Sequence, residues 1–98
     1  MTKVIHHEGA LADLRAAVGY FETEARHGTT EKFLQQVDRA VAAIKQFPES
    51  CPAFDKRHFR QRVFKFSYEL IYRMEGDDIV IVAVSHSSRD PSYWRDRR

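Results

Sequence analysis

Residues Ile79 to Val84 read IVIVAV, six apolar side chains with no polar position on either parity. A β-strand sends successive side chains to opposite faces, so a strand built from this run needs apolar cover above and below. It is read as a central strand, covered on at least part of both faces. At six residues it is far too short to span a membrane as a helix.

The text ahead of it alternates with period two. Phe64, Phe66, Tyr68, Leu70, Tyr72 and Met74 share one parity, which predicts strands at Arg62–Phe66 and Glu69–Met74 with a turn or bulge near Ser67 and Tyr68. These aromatic side chains are assigned to the core rather than to base stacking. Gly76 and Asp77, within EGDD, tolerate the dihedrals of a tight hairpin leading into Ile79–Ser85. The preceding interval PESCPAFDKRHFR is read as loop or irregular structure.

Nearer the N-terminus the period lengthens. Lys3–His6 predicts a short opening strand, and from Glu8 onward Leu11, Leu14, Val18, Phe21 and Ala25 recur at three or four residues, lining one side of a helix. Asp13, Arg15, Glu22 and Glu24 fall largely elsewhere. Glu8 and Asp13 lie toward the N-terminal end, where negative charge suits unpaired N–H groups, and Gly28 is a stop. Thr29 or Thr30 can cap a second helix with Glu31 in its first turn. Phe33, Val37, Ala40, Val41, Ile44 and Phe47 make its apolar face, and Pro48 ends it. The short GTT connection folds the two helices into a hairpin. The predicted fold is therefore α+β: an N-terminal strand, a helical hairpin, then a curved, mainly antiparallel sheet with the hairpin on one face, in one domain spanning residues 1–98.

A composition of 43% hydrophobic and 31% charged residues suits a soluble domain with one modest core. The opening MTKVIHHEG lacks a secretory apolar segment, so the expected location is cytoplasmic. The single Cys51 has no intrachain partner, and neither it nor the adjacent His6 and His7 forms a metal-ligand pattern; no metal or cofactor is expected. Charge is unevenly spread. Residues 1–50 carry a net −1 and residues 51–98 a net +3, with Lys56, Arg57, Arg60, Arg62, Lys65 and Arg73 in a stretch whose only acid is Glu69.

Read together, ALADLRAAVGYF, FLQQVDRAVAAIKQFPES, RVFKFSYELIYRM and IVIVAVSHSSRDPSYWRDR resemble the RelE/ParE family of bacterial toxins from type II toxin-antitoxin systems. Arg62, Tyr68, Tyr72, His86, Arg89 and the final Tyr93-Trp94 carry the likeness, and KFSYELIYR with HSSRDPSYW brings it closer to ParE-like members. The resemblance implies a growth-inhibiting toxin of this fold, held inactive by a cognate antitoxin in a hetero-oligomer. It implies one of two activities: inhibition of DNA gyrase that leaves broken DNA, the leading expectation, or ribosome-dependent cleavage of messenger RNA. A third expectation is a non-toxic protein that binds an antitoxin.

RNA cleavage needs a base for the 2′-hydroxyl, cations around phosphorus and an acid for the departing 5′-oxygen. By resemblance the candidates are Lys56, Arg60, Arg62, Arg89 and Tyr93, with Arg57 and Arg73 beside them. Arginine binds phosphate well but gives up a proton poorly, its pKa lying above about 12, and no lysine aligns with the base. An unperturbed histidine titrates at about 6.5, yet the position of His86 also carries histidine in gyrase-directed members, so His86 is read as a strand-end hydrogen bond. For a gyrase inhibitor, Arg57, Arg62, Arg73, His86, Arg89, Tyr93 and Trp94 would form a target-binding surface and need no base. Trp94 is expected to pack back on the sheet, with a partner for its N–H. Asp90 and Asp96 are expected to pair with nearby arginines.

Overall fold

The computed structural model describes residues 2–24 and 26–98; Ala25, assigned above to the first helical stripe, lies outside the described residues. In chain order the elements are β1 (Val4–His6), α1 (Glu8–Glu24), α2 (Thr29–Gln46), β2 (Phe59–Arg62), β3 (Tyr68–Glu75) and β4 (Asp78–His86). They form an α+β fold around one four-stranded sheet of order β1-β4-β3-β2. β1 runs parallel to β4, and the other neighbours are antiparallel.

The IVIVAV run lies in β4, flanked on both sides, and its side chains are buried on both faces. Ile79, Ile81 and Val84 join the core under the helices, while Val80, Val82 and Ala83 face the other way. Strict alternation would put Ala83, not Val84, with Ile79 and Ile81. The register shift between Ile71 and Tyr72, which pairs Ile71 with Ala83 and Tyr72 with Ile81, leaves Val82 as an extra residue and resets the parity. The hairpin joining β3 to β4 turns at Gly76 and Asp77, with Gly76 at φ 62.

Ala17, Phe21, Phe33, Val37, Ala40 and Ile44 bring the helical hairpin down on Leu70, Tyr72, Ile79 and Ile81. Phe47 points away and is exposed. Among the described residues no helix packs on the opposite face of the sheet. Trp94 covers it, fully buried against Ile71, Val80, Val82 and Ala83 with Phe54 and Tyr93 at its border. Burying so large a side chain contributes roughly 2–3 kcal/mol. The tail therefore packs back as expected. Its indole N–H, however, has no hydrogen-bond partner among the described residues. Its neighbours are aromatic instead, with His58 at 4.6 Å and Phe54 at 5.1 Å between ring centroids.

Three local expectations are corrected. The buried line of α1 is Ala10, Asp13, Ala17 and Phe21, rotated from the Leu11–Leu14–Val18 stripe, and Leu11 is exposed. α1 packs on β4, where alanines allow close approach and polar partners compensate the burial of Asp13. Neither Thr29 nor Thr30 caps α2; the chain enters through Gly28 in the left-handed region at φ 86, with no side-chain cap. The strand expected at Arg62–Phe66 lies earlier, at Phe59–Arg62, and begins inside the supposed loop. Phe59 stacks on Tyr72 across the ladder, ring centroids 5.4 Å apart. Beyond Val63 the chain turns instead, with Lys65 at φ 67 and the Phe66 N–H donating to Val63 O at 3.1 Å. Phe64 is thereby left 65% exposed, outside the core assigned to it.

Candidate functional site

Two clefts meet at Tyr68, where β3 begins beside the end of β4. The larger, about 710 Å³, takes Arg60 and Arg62 from β2, Glu69 from β3 and Ser85 from β4. The smaller, about 390 Å³, is walled by Asp13 and Tyr20 of α1 and by His86 and Arg89. Tyr68 lines both, its ring against His86 at 4.9 Å, and burial, with Tyr20 nearby, pushes its phenol pKa above the usual value.

The inner wall of the smaller cleft is a buried polar network. β1 stops early: its last ladder bond is His7 N–H to Ile81 O at 2.9 Å, leaving the outer edge of β4 beyond Ile81 without a strand. Side chains take its place. Arg97 donates to Val82 O at 3.1 Å, the Val84 N–H donates to Asp13 Oδ2 at 3.1 Å, and the Tyr93 hydroxyl lies 3.4 Å from Val84 O. The exposed edge is closed without a fifth strand. Asp13, only 8% exposed, also receives Arg97 Nη1 on Oδ2 at 2.7 Å, Nη2 on Oδ1 at 3.2 Å and the Tyr93 hydroxyl at 3.0 Å. The bidentate pairing raises the Arg97 pKa above its ordinary value through the Asp13 hydrogen bond. Burial, followed by the Asp13 charge, pushes the Tyr93 phenol up.

The tail is tied at further points. Arg73, 4% exposed, donates to Arg97 O at 3.0 Å and pairs with Glu75 at 2.6 Å. His7 accepts the Gly9 N–H on Nδ1 at 2.9 Å, capping α1, and its Nε2 lies 3.0 Å from Arg98 O, so the ring proton sits on Nε2. Asp90, expected to pair with an arginine, accepts the N–H and hydroxyl of Ser92 instead, and the Ser92 N–H chiefly holds its pKa low.

The sequence-derived candidates are therefore divided. Arg60 and Arg62 line one cleft, His86 and Arg89 the other, and Lys56 and Arg57 stand exposed on the loop before β2. Arg73 and Trp94 lie inside, tying down the tail and covering the sheet. Tyr93 is half-buried with its hydroxyl committed to Asp13, while its ring face carries the Arg89 guanidinium at 3.9 Å. His86 Nδ1 accepts the Ser88 N–H at 3.0 Å and lies 2.7 Å from Ser88 Oγ, the strand-end hydrogen bond expected of it. Asp13 and Arg97 carry much of the geometry without having been singled out for it. The signal for Asp13 was an acid three residues after Ala10 and four before Ala17, on the small-residue line of the helix. No group of three or more His, Cys, Asp or Glu among the described residues is placed to hold a metal ion.

The family described as ParE toxin of the type II toxin-antitoxin system, parDE, matches residues 4–91. The chain belongs to the ParE toxin family. ParE toxins of this kind are partnered by a cognate antitoxin. Among solved structures, this ParE-family chain is similar to one from the chromosomal ParDE toxin-antitoxin system of P. aeruginosa: TM-score 0.76, 17% identity, 88% of this chain and 96% of that one. It also resembles the YoeB dimer of Staphylococcus aureus, with TM-score 0.58, 13% identity and coverage of 87% and 95%. At these identities the likeness is one of fold. No curated protein matches by sequence. The ParE match ends before Tyr93, so the tail side chains that close the β4 edge lie beyond it. No helix among the described residues is long and apolar enough to cross a membrane.

Proposed function

We propose that this toxin inhibits DNA gyrase and is neutralised by its antitoxin within a hetero-oligomer, and that the clefts meeting at Tyr68 form its target-binding surface. The observation that supports this reading is the dispersal of the groups RNA cleavage would need. The Tyr93 hydroxyl is spent on Asp13, His86 Nδ1 is spent on Ser88, and Lys56 lines neither cleft. What faces outward is a contact surface of guanidinium and aromatic groups: Arg62, Tyr68, Tyr20, His86 and Arg89. Stacking on Tyr93 holds Arg89 at the mouth of the smaller cleft, while Arg57 stands on the loop before β2. Such a surface suits binding with no proton transfer.

The test runs two targets in parallel. Purified protein is added to gyrase with relaxed plasmid, and to ribosomes translating a defined message. Supercoiling should fall with increasing toxin, recover on addition of the antitoxin, and the message should stay intact. Unimpaired supercoiling together with cuts inside the translated message would move the assignment to RNA cleavage; no effect on either would leave a non-toxic antitoxin binder.

A further inference from the structure

At the exit of β4 the chain brings a hydroxyl onto a base. The Ser88 N–H donates to His86 Nδ1 at 3.0 Å, and Ser88 Oγ lies 2.7 Å from the same nitrogen. An amide N–H can only donate, so Nδ1 presents its lone pair and the proton of the neutral ring sits on Nε2. The hydroxyl must then donate as well, its proton directed at the ring nitrogen. Other aliphatic hydroxyls are placed differently: Thr23 donates to the Gly19 carbonyl, Ser85 to the His86 carbonyl and Ser92 to the Asp90 carboxylate. A carbonyl takes no proton near neutral pH, and an aspartate is a far weaker base than an imidazole. Ser88 is exposed, and it lines the smaller cleft together with His86. The Tyr68 ring stands at 81° to the imidazole with centroids 4.9 Å apart, which restricts the rotation of the base.

We propose that Ser88 is a nucleophile activated by His86, and that it accepts a short acyl group from an activated ester with an anionic leaving group. A serine hydroxyl within hydrogen-bond reach of an oriented imidazole is the arrangement that activates it. Ser88 Oγ attacks the carbonyl carbon while its proton passes to His86 Nδ1. The Oγ–C bond forms, the bond from that carbon to the leaving oxygen breaks, and the leaving oxygen departs with the electron pair and takes the proton back from the imidazolium. Protonation of Nδ1 also releases the Ser88 N–H, which becomes a donor for the oxyanion as charge develops there. The cleft suits this substrate class. Ala16, Ala17 and Val84 offer apolar surface to a short acyl chain. Arg89, held on the Tyr93 ring at 3.9 Å and with no carboxylate within ion-pair distance among the described residues, faces the anionic leaving group. A phosphoryl donor, with more charge to compensate, fits less well, because Arg89 is the one Lys or Arg among the described residues lining this cleft. An acyl chain on Ser88 would occupy part of the surface assigned to the target; that consequence rests on the proposed function, whereas the acyl transfer does not.

The experiment incubates the purified protein with the butyryl ester of hydroxynitrobenzoate, follows release of the coloured phenolate, and maps the label by peptide mass spectrometry. Wild-type protein should carry one butyryl group per chain, on Ser88, and should react more slowly with the uncharged nitrophenyl butyrate. Ser88→Ala should lose the label and Ser88→Cys should regain it at the same position, with circular dichroism checking that both remain folded. His86→Gln keeps an acceptor for the Ser88 hydroxyl but supplies no base, and should label about a hundredfold more slowly. The wild-type rate should fall with pH as the imidazole gains its proton. Tyr68 of β3, Tyr20 and Asp13 of α1, and Arg89 also face His86, and the absence of that fall in His86→Gln assigns it to the histidine. Ser92→Ala, which removes a comparably exposed hydroxyl outside the cleft, should label as wild type does. No label on Ser88 in the wild-type protein, full labelling of Ser88→Ala, or an equal rate and pH profile in His86→Gln would overturn the proposal.

Discussion

A methyl group on Gly9 would lie 2.5 Å from Arg97 Nε, closer than such atoms approach, and at φ values open to any residue. Glycine is therefore required by the neighbour rather than by the backbone. In the first turn of a helix, Gly→Ala ordinarily stabilises by up to about 1 kcal/mol. Here Gly9→Ala should destabilise, because Arg97 must leave the Asp13 carboxylate. Arg97→Ala alone should cost on the order of 3 kcal/mol, since it strands a buried acid. In the Arg97→Ala background Gly9→Ala should become neutral or stabilising, and a urea double-mutant cycle reads that change of sign. Tyrosines give a second prediction. Burial chiefly raises the phenol pKa values of Tyr68, Tyr72 and Tyr93, with Cys51 adding to the shift at Tyr72 and Asp13 at Tyr93. Their folded values exceed the unfolded value of about 10, so this stability is complete below pH 10 and is lost as pH rises through the folded values. Phenolate absorbance should develop late and together with unfolding, and Tyr93→Phe should flatten the alkaline loss.

At the scale of elements, the tail beyond Asp90 does the work that a helix or fifth strand does elsewhere: Trp94 covers one face of the sheet, and Arg97 and Tyr93 close the β4 edge with Asp13. Truncation after Ser92 should leave Val82 O without its donor and uncover Val80, Val82 and Ala83. The expected result is a chain that aggregates or exchanges its β4 amides rapidly, whereas in the intact protein the Val84 amide should exchange as slowly as those inside the ladder. Slow exchange and intact solubility in the truncated chain would refute this role. Much of this was legible beforehand. IVIVAV required cover on both faces, and the change from helical to strand period placed the hairpin on the sheet. β2 was obscured because Phe64 and Phe66 alternate with Lys65 as a strand would, while the positive φ of Lys65 that breaks the run leaves no mark in the pattern. Asp13 was misplaced because helical periodicity weighs apolar residues and is blind to an acid whose partners lie 71 and 84 positions away.

For the whole molecule, the chain is a ParE-family toxin, and the activity proposed for it is that of a surface that binds rather than cuts. Arg89 is the most informative position. It stands at the mouth of the smaller cleft, it is exposed, and its contact with Tyr93 orients it without placing it in the core. Arg89→Glu should leave folding and thermal stability within about 0.5 kcal/mol of wild type while inverting the charge offered to a partner. The candidate surface was readable in the sequence as residue types but not as a place, because Tyr20 and Arg89 are brought to one cleft only by the packing of α1 on β4. The most direct measurement is the amount of cleaved plasmid trapped by gyrase in the presence of the purified toxin. Wild-type protein should trap linear DNA in a dose-dependent way and Arg89→Glu at least tenfold less. Absence of trapped DNA with wild-type protein at concentrations saturating the antitoxin, or equal trapping by Arg89→Glu, would contradict the account.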